Sequence, residues 1–268
     1  MQPHGFFYAN EYDDHHMNGM HVDSILQQQP STRKPIMKLD NAVVLVTGAN
    51  RGLGLAFARE ALARGASKVY AAARQPAAVT LPGVVPLQLD VTDPDSVAAA
   101  AALASDVTLL INNAGIAEFG GFLGNDAVAS ARRHFETNVL GPLLLTRAFA
   151  PVLAAQGGGA LLNVLSVASW INRPALGVYG MSKSAAWALT NGLRHELRDQ
   201  GTQVLGLHMG FVDTDLTRDI DGPKATPQSV VEQAFDALAA GAEEVLGDEL
   251  TRQVKHGLSL DPAVYLQR

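Results

Sequence analysis

Residues 42–54 read AVVLVTGANRGLG, an apolar run that passes directly into a glycine-rich turn. The run predicts a buried strand, and the stretch 53–64 after it predicts a helix. Glycines at such a junction allow a sharp turn and a close approach of the backbone to a pyrophosphate. The helix N-terminus adds N–H groups and a positive dipole end. The spacing Gly-x-x-x-Gly-x-Gly at the first strand–helix junction therefore favours a dinucleotide site over a plain tight turn.

From Asn41 onward the chain repeats this alternation of apolar runs and helical stretches. Strands are predicted at 42–46, 68–73, 84–89, 107–111, 160–165, 203–208 and 244–246, and further helices at 95–104, 126–153, 179–199 and 228–240. Near-continuous apolar strands separated by helices indicate a parallel sheet covered on both faces. We therefore expect a single α/β domain of the Rossmann type, with a doubly wound parallel sheet in three α/β/α layers. Function is expected at the carboxyl ends of the strands.

The first 38 residues differ in composition from the rest. They contain three consecutive glutamines, three prolines, and four histidines at His4, His15, His16 and His21. No sustained period runs through them, so we interpret 1–38 as a flexible extension and 39–268 as the domain. The histidines are potential metal ligands, but no fixed ligand geometry is visible and we predict no metal site. Met37, just before the first strand, is a candidate natural start.

Charge and composition exclude several classes of function. The net charge is −6 and no basic stripe occurs, which argues against a nucleic-acid partner. The chain has no cysteine, so disulfides and thiol catalysis are excluded. No uncharged apolar run approaches the roughly 18 residues of a membrane span. The first 29 residues lack the apolar core of a signal peptide. We therefore expect a cytoplasmic protein without a membrane partner.

A tyrosine and a lysine lie on one face of a predicted helix. Tyr179 and Lys183 are four residues apart, and Ser166 precedes them after the fifth predicted strand. A positive neighbour favours the phenolate, so such a tyrosine can exchange a proton with an oxygen near neutral pH, although a tyrosine ordinarily has a pKa of about 10. Alone this spacing is weak evidence, because chance produces it readily in a chain of this length.

The end of the second predicted strand bears on the choice of cofactor. NAD sites commonly place a carboxylate about 20 residues after the glycines. Here residues 69–78 contain no carboxylate but include Arg74, and Arg51 lies inside the glycine loop. Two guanidiniums suit a 2′-phosphate, because arginine pairs with phosphate in a bidentate way. We predict NADP(H) rather than NAD(H); the alternative is that either arginine is an ordinary surface residue.

In the order of its motifs the chain resembles the short-chain dehydrogenase/reductase family, in its single-domain branch. The resemblance covers 39 to about 247. It rests on Thr-Gly-x-x-x-Gly-x-Gly at 47–54, Asp90-Val91, Asn112-Asn113-Ala114-Gly115, Asn138, Ser166 and the Tyr179/Lys183 pair. It implies an enzyme that interconverts a carbonyl compound and an alcohol by hydride transfer.

The resemblance also implies a role for each catalytic residue. Tyr179 would be the general acid and base, and Ser166 would bond the substrate oxygen. Lys183 would bind the nicotinamide ribose and lower the pKa of Tyr179. Asn138, on a strained or bent helix turn, would hold a water that links Lys183 to bulk solvent.

A larger set is implied to bind the cofactor. Asp90 and Val91 would contact the adenine, and 112–115 would flank the adenosine ribose. The full set is Gly48, Asn50, Arg51, Gly52, Leu53, Gly54, Arg74, Asp90, Val91, Asn112, Ala114, Gly115, Tyr179, Lys183, Val212 and Thr214. Within 208–214, Met209 stands where the family usually has proline, which puts the rigidity of that turn in doubt.

The substrate is predicted to be a small apolar, or aromatic, ketone or aldehyde, or the corresponding alcohol. The predicted pocket residues are Phe119, Phe122, Trp170, Leu176, Phe211 and Leu216. The segment 216–225 is short, which predicts an open pocket, and we expect a homo-oligomer, either a dimer or a tetramer. Two alternatives stay open: a 3-oxoacyl-thioester reductase, disfavoured because no cationic cluster is visible, and a catalytically silent dinucleotide-sensing binding protein. The second is disfavoured because the tyrosine and the lysine are both present.

Overall fold

A computed structural model describes residues 36–267 of the chain. The part of the predicted extension at 1–35, with its four histidines, lies outside the described residues. Met37 lies inside the range interpreted as an extension. Its side chain is buried, and its N–H donates a hydrogen bond to Gln203 Oε1 at 3.1 Å. Met37 therefore packs against the domain.

Within residues 36–267, seven parallel strands form one sheet in the order β3-β2-β1-β4-β5-β6-β7. The strands are β1 Val43–Thr47, β2 Lys68–Ala73, β3 Val85–Gln88, β4 Leu109–Asn112, β5 Ala160–Val164, β6 Gln203–His208 and β7 Glu244–Leu246. The order reverses between β1 and β4, which is where ligands bind in open sheets of this kind. The predicted doubly wound parallel sheet is confirmed.

Helices cover both faces of this sheet. They are α1 Gly52–Ala63, α2 Pro94–Leu103, α3 Ala127–Phe135, α4 Gly141–Ala155, α5 Gly177–Glu196, α6 Pro227–Ala239 and α7 Glu249–Gly257. The helix predicted at 126–153 is present, but a π turn at Glu136–Leu140 divides it into α3 and α4. α7 follows the last strand predicted from the sequence and was not itself predicted; Asp248 caps it by accepting a hydrogen bond from the Thr251 N–H.

Each face of the sheet carries its own core. Alternate residues of β1 point to opposite sides, so Val44 and Val46 join one core and Leu45 joins the other. The first core includes Phe57 of α1 and Phe235 of α6, whose rings meet edge-on with centroids 5.5 Å apart. Burying one such side chain contributes about 1.5–3 kcal/mol, so these contacts hold the helices against the sheet.

The stretch Ala127–Ala155 is, among the described residues, long and apolar enough by composition to cross a membrane. In this structure it packs on the sheet. Leu145, Phe149 and Leu153 are fully buried in the second core. Apolar side chains of this stretch therefore pack in the core of the domain. The composition of the stretch alone does not reveal this.

Candidate active site

A cleft of about 450 Å³ lies at the carboxyl ends of the strands. Its walls come from the segments that follow β1 to β6, together with the start of α5. Most of the predicted site residues line it, namely Gly48, Asn50, Arg51, Gly52, Leu53, Gly54, Arg74, Asp90, Val91, Ala114, Gly115, Phe119, Ser166, Leu176, Tyr179, Lys183, Phe211, Val212, Thr214 and Leu216. The fold therefore brings residues from 48 to 216 to one site.

The glycine loop has the geometry of an anion site. Gly48 and Gly52 have φ angles of +65° and +55°, a region that favours glycine. A Cβ on Gly54 would lie 2.2 Å from the Gly48 carbonyl oxygen, so α1 can start this close to the loop only with glycine there. The first N–H groups of a helix have no partner within it. These N–H groups and the helix dipole suit a phosphate.

Thr47 ties this loop to the segment after β4. Its Oγ1 accepts hydrogen bonds from the N–H groups of Asn113 at 3.0 Å and Ala114 at 2.9 Å, and donates one to the Ile111 carbonyl at 3.2 Å. Asn113 Nδ2 in turn donates to the Thr47 carbonyl at 2.8 Å. Sequence reasoning missed both roles. The Thr-Gly and Asn-Asn signals were visible, but the contact between them depends on the pairing of β1 with β4.

Two arginines stand at the rim of the cleft. The Arg51 side chain is 70% exposed, and its Nη1 lies 3.5 Å from Asp215 Oδ2. Arg74, exposed just past β2, helps to lower the pKa of Asp90. The larger causes of that lowered pKa are hydrogen bonds to the Asp90 carboxylate from the backbone and side chain of Thr92. An exposed pair such as Arg51–Asp215 contributes little, so Arg51 can exchange it for a phosphate at small cost.

Tyr179 and Lys183 project from α5 beside the end of β5. Lys183 Nζ donates a hydrogen bond to the Val164 carbonyl at 2.8 Å and lies 5.9 Å from the centroid of the Tyr179 ring. Burial lowers the pKa of Lys183 to about 8. Burial also raises the pKa of Tyr179, and the Ser166 hydroxyl opposes this shift. The lysine is thus close to the tyrosine, but desolvation dominates the tyrosine pKa in this structure, whereas the resemblance implied a lowered value.

Ser166 follows β5 and begins a short 3₁₀ turn, Val167–Ser169. Its Oγ accepts a hydrogen bond from the Ala168 N–H at 3.1 Å. Ser166 is close enough to Tyr179 for its hydroxyl to oppose the rise that burial causes in the tyrosine pKa. Both side chains line the same cleft.

Asn138 is buried in the π turn and does not line the main cleft. Its Oδ1 accepts from the Ile116 N–H at 2.9 Å, and its Nδ2 donates to the Ile116 carbonyl and to Ser182 Oγ, each at 3.0 Å. The side chain thereby joins the segment after β4 to α5. Beside it lies a second cavity of about 10 Å³, which Lys183 also lines. A space of this size is about that of one water.

Besides Asn138, three predicted site residues lie outside the cleft. Asn112 is buried in the sheet, where its Nδ2 donates to Asn163 Oδ1 at 2.8 Å, so it does not face the cofactor region as expected. Trp170 stacks on His208, with ring centroids 3.9 Å apart, instead of facing the nicotinamide region. The Phe122 side chain is exposed, and its ring lies against Gly177. For Trp170 and Phe122, position on a loop did not determine the direction of the side chain, and for Asn112, at the end of β4, the pairing with β5 determined it.

Part of the cleft lining is apolar. The predicted pocket residues Phe119, Leu176, Phe211 and Leu216 contribute to it. They are joined by residues that the sequence did not indicate, namely Ile116, Ala117, Ala168, Met209 and Ile220.

Comparisons with known proteins agree with this geometry. The family model described as short chain dehydrogenase matches residues 42–224. Galactitol 2-dehydrogenase (L-tagatose-forming) from Cereibacter sphaeroides is 37% identical over 195 residues, which are 69% of this chain and 76% of that protein. A short chain dehydrogenase from Burkholderia cenocepacia J2315, solved in complex with NADP, is 36% identical with a TM-score of 0.82, and the match covers 87% of this chain and 100% of that one. A short chain dehydrogenase/reductase from Burkholderia phymatum, solved in complex with NAD, is 25% identical with a TM-score of 0.73, and covers 84% and 97%.

Proposed function

Because the chain belongs to the short-chain dehydrogenase family, we propose that it is an NADP(H)-dependent enzyme that interconverts an apolar ketone or aldehyde and the corresponding alcohol. The family places it among oxidoreductases that act on CH–OH and C=O groups. The observation that carries the proposal is the convergence of Ser166, Tyr179 and Lys183 on one apolar cleft next to the glycine loop.

These residues can supply the proton and hold the charge. When bound, NADPH supplies the hydride that the carbonyl carbon accepts. The hydroxyl of Tyr179 donates its proton to the carbonyl oxygen, while the hydroxyl of Ser166 donates a hydrogen bond to the same oxygen. A pKa raised by burial keeps Tyr179 protonated at neutral pH, as an acid requires. The Lys183 ammonium, 5.9 Å from the phenol ring, stabilises the phenolate that remains.

After it has donated its proton, Tyr179 must regain one from solvent, which requires a path for the proton. The small cavity between Asn138 and Lys183 has room for one water. A water there would accept a hydrogen bond from the Lys183 ammonium, and this supports the relay role that the resemblance implies for Asn138. The Asn138 side chain, bonded to Ile116 and Ser182, would hold the walls of that cavity in place.

The glycine loop and the two arginines support NADP(H). The contact between Gly54 and Gly48 leaves the start of α1 open toward a pyrophosphate. Arg51 and Arg74 line the same cleft and would pair with the 2′-phosphate. The similar structure from Burkholderia cenocepacia contains NADP, whereas that from Burkholderia phymatum contains NAD. The arginines are therefore the stronger support for NADP(H).

The apolar lining distinguishes the alternatives. It disfavours a polyol such as the substrate in the name of the Cereibacter sphaeroides relative. A 3-oxoacyl-thioester reductase is disfavoured because the cleft lining carries no basic side chain except Arg51, Arg74 and Lys183, which are assigned to the cofactor. A silent binding protein is disfavoured because a tyrosine, a serine and a lysine that can together supply acid catalysis line one cleft.

The test is NADPH oxidation measured against ketones, aldehydes, β-ketoesters, acyl thioesters and, in the reverse direction, polyols. We expect turnover of apolar ketones or aldehydes, and a fall of at least about 10²-fold for Tyr179→Phe with NADPH binding retained. Turnover of polyols alone would exclude the proposed substrate class. NADPH binding without turnover of any compound would identify a binding protein.

A further inference from the structure

Behind Ser166 lies a partly buried aromatic and charged cluster that the proposed chemistry does not use. We call it the His208 cluster: His208 at the end of β6, Trp170, Trp187, Glu244 at the start of β7, and Lys255 of α7. His208 Nε2 and Trp170 Nε1, in this cluster, are two of the few buried side-chain polar atoms without a hydrogen-bond partner among the described residues. Polar atoms left unpaired in a core are costly, so the cluster calls for an explanation.

His208 contacts Ser166 directly. The imidazole is fully buried and stacks on the Trp170 indole, with planes 19° apart. Its Nδ1 lies 3.1 Å from the Ser166 carbonyl oxygen. A carbonyl only accepts, so Nδ1 carries the proton and donates. In the neutral ring Nε2 is then unprotonated, and it lies 3.7 Å from Glu244 Oε1, too far for a hydrogen bond.

This hydrogen bond is one of three that connect Ser166 and its two neighbours to the end of β6 and the residue after it. On either side of it, the Leu165 N–H donates to the Leu207 carbonyl at 2.7 Å and the Val167 N–H donates to the Met209 carbonyl at 2.8 Å. Those two bonds join backbone groups and depend little on residue type. The bond from His208 comes from a side chain, so it depends on this residue.

We propose that His208 is a positioning residue that fixes the backbone of Ser166, and with it the direction of the serine hydroxyl, from the side opposite the cleft. The inference rests on the proposed function, because it concerns the serine that would bond the substrate oxygen. It also accounts for Met209, which stands where the family usually has proline. A hydrogen bond from the neighbouring His208 supplies restraint that the proline ring would otherwise give this turn.

The rest of the cluster holds the imidazole in place. Lys255 Nζ lies 4.6 Å from the centroid of the Trp170 ring and 3.0 Å from the Glu244 carboxylate. Burial, together with the charges of Lys255, Arg194 and Lys183, lowers the pKa of His208 to about 3, although the bond to Ser166 acts in the opposite direction. The ring therefore stays neutral in the working range of the enzyme, and the bond to Ser166 does not switch with pH.

Three variants separate the hydrogen bond from the packing. His208→Asn places an amide donor at the position of Nδ1 but loses the stacked ring. His208→Gln carries the same amide one bond further out, where it misses the carbonyl. His208→Phe keeps a ring against Trp170 but has no donor.

We expect kcat to depend on whether the hydrogen bond to the Ser166 carbonyl is kept. It should be near the wild-type value in H208N and about 10-fold lower in H208Q and H208F, with KM for NADPH unchanged. We expect the melting temperature to follow the ring instead, falling in H208N and H208Q more than in H208F.

A double-mutant cycle tests whether the effect passes through Ser166. In a Ser166→Ala background, H208Q and H208F should lower kcat no further, because the hydroxyl that they misplace is absent. Wild-type kcat in H208Q and H208F, or a loss of kcat in all three variants in proportion to melting temperature, would overturn the inference.

A crystal structure of H208Q shows directly whether Ser166 moves, and this test does not depend on turnover. A displaced Ser166 supports the inference and an unmoved Ser166 overturns it, even if the wild type reduces none of the carbonyl compounds. Failure of the proposed function would instead show as an inactive wild type, so the two failures are distinguishable.

Discussion

The imidazole of His134 meets the phenol ring of Tyr179 edge-on, with ring centroids 6.2 Å apart and planes at 68°. Both ring nitrogens of His134 have partners. Nδ1 lies 2.8 Å from the Ser130 carbonyl, to which it donates, and Nε2 accepts from the Glu118 N–H at 3.1 Å. The orientation of the tyrosine thus depends on α3 and on the segment after β4, and not on its own helix alone.

This contact predicts that His134 supports the proton donor. An edge-on aromatic pair contributes about 0.5–1.5 kcal/mol, and its removal leaves space into which Tyr179 can turn. We expect His134→Ala to lower kcat about 10-fold with KM for NADPH unchanged. His134→Phe is the matched control, because it keeps a ring beside Tyr179 and loses both hydrogen bonds. It should retain more turnover than H134A; equal turnover in the two variants would show that the ring contact has no role.

A second prediction concerns Lys183 and alkaline pH. The ordinary pKa of 10.5 applies to the unfolded chain, and burial lowers it to about 8 in the folded chain. Between these values the unfolded state binds more protons, so this lysine makes the free energy of unfolding rise with pH, by at most about 1.4 kcal/mol per pH unit. Below pH 8 both states are protonated and the burial penalty is fully present.

Lys183→Met removes this titration. We expect the free energy of unfolding of the wild type, relative to that of K183M, to rise between pH 8 and 10. Urea unfolding of both proteins across this range measures the difference and cancels the contributions of other groups. Parallel profiles would mean that the lysine pKa is not lowered. Turnover of K183M should fall at least about 10²-fold, because the phenolate loses its positive neighbour.

The third prediction concerns the cofactor. If Arg51 and Arg74 hold the 2′-phosphate, each charge-assisted pair contributes about 1.5–3 kcal/mol. Arg51→Ala or Arg74→Ala should then weaken NADPH by roughly 10- to 100-fold and leave NADH nearly unchanged. Arg218→Ala is a suitable control, because this arginine pairs with the same Asp215 as Arg51 but does not line the cleft.

Ala73→Asp combined with Arg74→Ala should move the preference toward NADH. Ala73 lines the cleft at the end of β2, so a carboxylate there would repel the phosphate and accept a bond from the ribose hydroxyl of NADH. The ratio of kcat/KM for the two cofactors, in the wild type and in the double variant, decides the matter. A wild type that already prefers NADH would show that both arginines are ordinary surface residues.

The last prediction concerns the start of the chain. Met37 is a candidate natural start, but its N–H is a buried donor to Gln203 Oε1. Beginning at Met37 places a charged N-terminus at that position, which desolvation penalises. We expect a chain that begins at Lys34 to melt like the full chain, and one that begins at Met37 to melt several degrees lower. Equal melting temperatures for the two truncated chains would contradict this account.

The sequence was sufficient wherever one local pattern decides the structure. The strands at 68–73 and 203–208 are mostly apolar runs, and the structure has the same bounds. The glycine loop was recognisable because only glycine tolerates the backbone of Gly48 and Gly52 and the close approach at Gly54. Tyr179 and Lys183 were selected by their helical spacing, which the geometry of α5 preserves.

Only the tertiary structure decided what depends on contacts between distant segments. Trp170 was predicted to line the substrate pocket, but His208 and Lys255 pack against its ring. Asn112 follows the family motif, yet the pairing of β4 with β5 turns its amide toward Asn163. The raised pKa of Tyr179 has the same origin, since desolvation comes from every element packed around the ring, whereas the sequence shows only the lysine four residues away.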